Sequence, residues 1–138
     1  MDISKVHKWE QAVINILAFD GWDLTWTGSD YSHCDAVGLT PKGKTCAIEI
    51  KFRQKYYETK ILEKYKYEKL MEMEEEVKLY FVNDPKGNYL FWLNDIKMPK
   101  PQDMWCPDTT LWTKKKMMKP CYLLKEDDAT LKNLYSEL

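Results

Sequence analysis

Residues 45–52 (Thr-Cys-Ala-Ile-Glu-Ile-Lys-Phe) constrain the fold of this chain more than any other segment. The run is largely apolar, as a central strand covered on both faces must be, yet it carries two charges. Strand alternation puts Ile48 and Ile50 on one face and Glu49 and Lys51 on the other. Thr-Pro-Lys-Gly at 40–43 is a turn signal, and residues 35–39 form a second extended run before it, so the two segments read as a β-hairpin. A three-residue loop at Pro41-Lys42-Gly43 pairs positions whose numbers sum to about 84, in the manner of antiparallel strands, and sets Asp35 opposite Glu49. Opposed carboxylates repel, and a sheet built for stability alone avoids them. Two converging acids with a lysine two residues on suit a hard divalent cation such as Mg²⁺, which takes oxygen ligands and keeps several waters. Lys51 is then placed to hold the attacking water or to stabilise developing phosphate charge.

The rest of the chain supplies a frame. Val6, Trp9, Val13, Ile16 and Leu17 recur at helical spacing, which predicts a helix over 4–19 with Ser4 as N-cap and Asp20-Gly21 as its end. Residues 22–27 alternate as a strand, and 28–32 are a loop. Residues 57–76 lack Gly and Pro, are rich in Lys, Glu, Leu and Met, and read as one long helix. Residues 77–82 and 88–93 flank Asn-Asp-Pro-Lys-Gly, a second hairpin signal. Residues 94–126, with Pro99, Pro101, Pro107 and Pro120, are irregular, with extended pieces at 109–113 and 121–124. Asp127 or Asp128 caps a closing helix through Tyr135. The expectation is a single α/β (α+β) domain over 1–138, with 94–138 as an irregular C-terminal extension, built on a mixed β-sheet flanked by helices in the order α-β-β-β-α-β-β.

Composition excludes more than it selects. The 138 residues carry 21 basic and 22 acidic side chains, so the chain is neither a basic nucleic-acid coat nor an acidic tail. Aromatics at 14% argue against disorder. The first residues lack the uninterrupted apolar core of a signal peptide, and no stretch reaches the roughly 18 apolar residues of a membrane span, which points to the cytoplasm. Cys34, Cys46, Cys106 and Cys121 form no CxxC pair and read as buried thiols. No GxSxG motif, glycine-rich phosphate loop or Ser-His-Asp order appears. His33 is a loop or strand-end histidine near Asp35.

Charge is sorted by place. Lys51 to Lys69 holds seven bases and three acids, residues 70–76 hold four Glu and no base, and Lys97 to Lys119 holds six Lys and two Asp. Arg53, Gln54, Lys55, Lys60 and Lys64, and the run Lys114-Lys115-Lys116, are the candidate nucleic-acid contacts. Tyr56, Tyr57, Trp105 and Trp112 are interleaved with them and offer surfaces for base stacking. Tyr89, Phe91, Trp92, Trp105 and Trp112 alternatively suggest a partner-binding patch.

A helix, a strand with Asp, a strand with Glu-Ile-Lys and a second helix, in that order, resemble the PD-(D/E)XK nuclease superfamily. The resemblance spans about residues 5–82. It implies a restriction endonuclease-like core, with Mg²⁺ (or Mn²⁺) held by Asp35 and Glu49 and with Lys51 assisting attack on a phosphodiester. Glu10 matches the acid that many members place on the first helix. It lies about 40° round the helix from Val6, at the edge of the apolar face. Asp30 is the competing acid if the hairpin register shifts, and Cys34 stands where many relatives have Pro. The compact layout looks most like archaeal-type Holliday junction resolvases and small phage or restriction-type nucleases. The implied activity is that of a divalent-metal-dependent nuclease, a phosphodiesterase acting on DNA in preference to RNA, endonucleolytic and leaving 5′-phosphate ends. Cutting a four-way junction requires two active sites, hence a homodimer. The alternative is a nuclease-like module that binds nucleic acid or protein without cutting.

Overall fold

The computed structural model describes residues 2–28, 33–107 and 116–136. Helix α1 (Ile3–Phe19) is capped by Asp2, whose side chain accepts a hydrogen bond from the Ser4 amide at 3.0 Å. The cap therefore stands two residues before the Ser4 expected from sequence. Gly21, at φ +91°, turns the chain out of the helix. Strands β1 (Asp23–Trp26), β2 (Ala36–Leu39) and β3 (Thr45–Phe52) follow as an antiparallel meander. Ala36 pairs with Ile48 and Leu39 with Thr45. The expected hairpin register is thus the observed one. The Thr40 amide donates to the Lys44 carbonyl, closing the three-residue loop.

After β3 the structure departs from the sequence reading. Residues 57–76 are not one helix. They form strand β4 (Thr59–Glu63), the eight-residue helix α2 (Lys64–Met71) and a connection. Burial in β4 alternates, with Lys60 and Leu62 inside. The strand pairs antiparallel with β8 (Lys116–Lys125), Leu62 facing Tyr122 and Lys60 facing Leu124. Lys and Glu favour helix only weakly, and burial against Tyr122 and Leu124 decides the outcome.

Strand β5 (Val77–Asp84) lies parallel to β3, and β6 (Gly87–Trp92) returns beside it. Residues 94–138 are more regular than expected. Strand β7 (Gln102–Pro107) pairs with the first part of β8, and β9 (Leu131–Leu134) pairs with β6. The closing helix expected after Asp127 is a single 3₁₀ turn at Glu126–Asp128 leading into β9. The open edge of β6 supplies backbone partners that a short helix would not use. The expected strand at 109–113 lies outside the described residues. Pro120 sits in β8 just before the stretch that pairs with β4, where its missing N–H costs no bond to that strand.

The result is a six-stranded mixed sheet, ordered β1-β2-β3-β5-β6-β9, and a three-stranded sheet, ordered β4-β8-β7. On one side of β3, Cys46, Ile48 and Ile50 pack with Ile14, Trp22 and Leu79 under α1. On the other, Ala47 packs with Leu62, Leu70, Tyr80, Phe91 and Leu124 under α2 and the small sheet. The four cysteines are buried thiols. Among the described residues no helix is long and apolar enough to cross a membrane.

A buried ammonium joins the two sheets. Lys60 is 3% exposed, and its Nζ lies 2.6 Å from Asp84 Oδ2 and 3.0 Å from Glu126 Oε1. It donates to the Tyr57 carbonyl and rests over the Tyr56 and Tyr89 rings. Lys60 is therefore a structural bridge, and its burial removes it from the set of phosphate contacts expected from sequence.

Candidate active site

The acids converge where β2 and β3 leave the hairpin. The Asp35 amide donates to the Ile48 carbonyl and its own carbonyl accepts from the Thr27 amide, which holds Asp35 in line ahead of β2. Asp35 Oδ2 accepts a hydrogen bond from the Ile50 amide at 2.7 Å. The carboxylate thus lies over β3 beside Glu49. Glu49 sits in mid-strand, flanked by buried Ile48 and Ile50, with its side chain 13% exposed. Lys51 follows two residues on, on the same face.

Glu10 reaches this group from α1. It is buried, and its Oε1 accepts from the indole N–H of Trp26 at 2.9 Å. Gly28 packs against that pair. A Cβ there would stand 2.6 Å from Glu10 Oε1 and 2.5 Å from Trp26 Nε1, so only glycine lets the chain pass. Neither Trp26 nor Gly28 carries a sequence signal of its own. A Trp on a short alternating strand and a Gly after it read as core and loop. The His7 ring packs edge-on against Trp26.

The electrostatics are those of crowded, partly dehydrated charges. Burial, and then the charge of Asp35, push the Glu49 carboxyl up to about 8. Burial holds Asp35 above its usual range, against the lowering hydrogen bond from Ile50 and the positive charges of Lys66 and Lys51. Glu10 is also raised, by burial and by Asp35, with the Trp26 hydrogen bond opposing. Burial, with Lys66 and Arg53, pushes Lys51 down to about 8. The sign for stability follows. A carboxyl whose folded value lies above its unfolded one costs the native state increasing free energy as pH rises from about 4.5 to about 8. A cation between the carboxylates removes that cost.

Lys66, on α2, also faces the acids. Its Nζ lies 3.6 Å from Glu49 Oε1. Burial disfavours its charge, but Glu49, Glu63 and Asp35 outweigh that and hold it above the usual lysine value. Sequence reading counted Lys66 only within a basic run. The usable signal is its position four residues before the buried Leu70, on the same side of α2.

Two clefts meet here. One is bordered by His33, Asp35, Glu49, Tyr65, Lys66 and Lys69. The other is bordered by Glu49, Lys51, Arg53, Glu63, Lys66 and Tyr80. Of the other basic candidates, Arg53 borders the second cleft. Arg53 donates to the Ile61 carbonyl at 3.2 Å, and Lys64 pairs with Glu68 at 3.5 Å. Glu63 pairs with Lys119 at 3.4 Å. Gln54, Lys55, Lys116 and Trp105 are exposed. Asp30, Lys114, Lys115 and Trp112 lie outside the described residues.

The donor set fits a hard cation. Among the described residues no three His, Cys, Asp or Glu side chains stand together as a ready-made metal cage. What the chain offers is a pair of mutually repelling carboxylates at a cleft, the arrangement of an ion that keeps most of its waters and shares substrate phosphates.

No protein-family model and no curated protein sequence matches the chain. Among solved structures, it is similar to Hjc, a Holliday junction resolvase from the archaeal hyperthermophile Archaeoglobus fulgidus. The TM-score is 0.58 at 14% identity, over 89% of this chain and 93% of that one. The fold is accordingly restriction endonuclease-like, a mixed sheet flanked by helices, as the sequence order suggests.

Proposed function

We propose that the protein is a divalent-metal-dependent nuclease that hydrolyses phosphodiester bonds in DNA. The observation that carries this reading is the half-buried pair of Asp35, just ahead of β2, and Glu49 on β3, both with raised carboxyl values, beside Lys51 at the meeting of two clefts. Asp35 and Glu49 would hold Mg²⁺, and Glu10 would reach it through a water molecule. The ion supplies a Lewis acid for the phosphate oxygens when bound. Lys51 projects from the same face as Glu49, and its lowered value lets its amine hold and orient the attacking water near neutral pH. Asp35, tied to the Ile50 amide, keeps its orientation through the cycle. The resolvase likeness makes four-way and other branched DNA the first substrates to try.

The test is a cleavage panel of single-stranded, duplex, flap and four-way DNA with Mg²⁺ or Mn²⁺. The expected result is nicking that stops in chelator and leaves 5′-phosphate ends. Tight DNA binding with no cut on any substrate, in either metal, would place the protein among non-cutting binding modules.

A further inference from the structure

The three lysines of α2 are not equivalent. Lys64 pairs along the helix with Glu68, and Lys69 pairs with Glu72 while lying 5.6 Å from the centre of the Tyr65 ring. Lys66 instead crosses from helix to sheet and faces Glu49. It does so because it shares a side of α2 with Leu70, which is buried in the core beneath the helix. Lys66 and Glu49 are also common to the borders of both clefts. A strand of nucleic acid laid from one cleft to the other must pass the Lys66 ammonium.

The contact to Glu49 is loose. At 3.6 Å it is longer than a hydrogen bond, and the Lys66 side chain is 44% exposed. The glutamate end of the pair is held in place in mid-strand at 13% exposure, and only the lysine end is free to move. Lys60, at 2.6 Å from Asp84 and 3% exposed, shows what a locked lysine looks like in the same protein. Lys66 is not locked in this way, and a divalent ion on Glu49 would repel it towards the cleft.

We propose that Lys66 is a substrate-binding residue of this site, whose ammonium exchanges the Glu49 carboxylate for a non-bridging oxygen of the phosphate at the cut. The inference rests on the nuclease reading above and adds a second, helix-borne lysine to Lys51 on the strand.

The experiment measures binding of fluorescein-labelled duplex and four-way DNA in Ca²⁺ across a salt series, for wild type, Lys66→Ala, Lys66→Met and Lys66→Arg. Mn²⁺ uptake by each protein without DNA is followed by calorimetry. Loss of one phosphate contact should weaken binding about tenfold and lower the slope of log affinity against log salt by about 0.9 on duplex. Lys66→Arg should recover the slope. Mn²⁺ uptake should persist in all three variants, because Asp35 and Glu49 remain. In the cleavage assay KM should rise about tenfold for Lys66→Ala, with kcat changed less. An unchanged slope and KM in Lys66→Ala, while wild type cuts DNA, would overturn the role of Lys66 and leave the nuclease reading intact. Loss of Mn²⁺ uptake in Lys66→Met would also overturn it, by making the lysine a support for the carboxylates. A wild type that neither binds nor cuts DNA would sink both readings together.

Discussion

Glu49→Ala should lower Mg²⁺-dependent cleavage by at least about a thousandfold, and Lys51→Ala by about a hundred- to a thousandfold, with both proteins remaining folded. The magnitudes follow from what each group would do. Removing one preorganised group that stabilises transition-state charge costs about 10²–10³ in rate, and loss of one of two metal carboxylates adds the loss of the ion itself. The retention of fold follows from the environment. Glu49 is 13% exposed and held up to about 8 by burial and by Asp35, so above pH 8 its charge opposes the native state. Replacing it by Ala removes a strained charge as well as some packing, and the thermal midpoint at pH 8.5 should stay level or rise. Lys51 is likewise disfavoured as an ammonium by burial and by Lys66 and Arg53. Groups selected for stability lose it on truncation; these two should lose rate instead. Gel-based initial rates with thermal melts on the same samples make the comparison. A Glu49→Ala protein with wild-type rates would remove the carboxylate pair from the chemistry.

The second large effect concerns the other end of β5. Asp84→Ala should destabilise the protein by about 3–5 kcal/mol, the usual cost of leaving one member of a buried pair alone. Asp84 is 3% exposed. Its Oδ2 meets Lys60 at 2.6 Å, and its Oδ1 accepts from the Lys86 and Gly87 amides in the β5–β6 turn. The alanine thus removes both a counter-ion and a turn brace. Glu126 remains, 3.0 Å from Lys60, but it is partly exposed and shared with the Tyr56 hydroxyl. Lys60→Met should cost a similar amount, because it leaves the Asp84 carboxylate, 1% exposed, without its counter-ion. Urea unfolding measures both. A loss below about 1 kcal/mol for Asp84→Ala would mean that the bridge between the sheets does not hold them together.

The hairpin was legible because three local signals agreed. These were the Pro-Lys-Gly loop, the apolar run 45–52, and the alternation that set Asp35 against Glu49. Glu10 was singled out by the family resemblance, and its helical angle placed it at the edge of the face that α1 buries. What was not legible depends on distant partners. The lysines and glutamates of 57–76 favour helix locally, but β8 lies some sixty residues on in sequence and recruits Thr59–Glu63 as a strand. The same pairing buries Lys60, which its place in a basic run marked as a nucleic-acid contact. Trp26 and Gly28 matter through a hydrogen bond to α1 and a close approach to Glu10, neither of which leaves a local pattern. The strands of 94–138 were hidden by four prolines. Pro99 and Pro101 lie in the connection before β7, Pro107 ends β7, and Pro120 sits in β8 just before the stretch that pairs with β4.

A crystal of the protein grown with Mn²⁺ and measured at the manganese absorption edge decides whether Asp35 and Glu49 together hold a divalent ion. An anomalous peak between the two carboxylates is expected, with Lys66 displaced from Glu49. No peak there at millimolar Mn²⁺, or one bound by other residues, would contradict it.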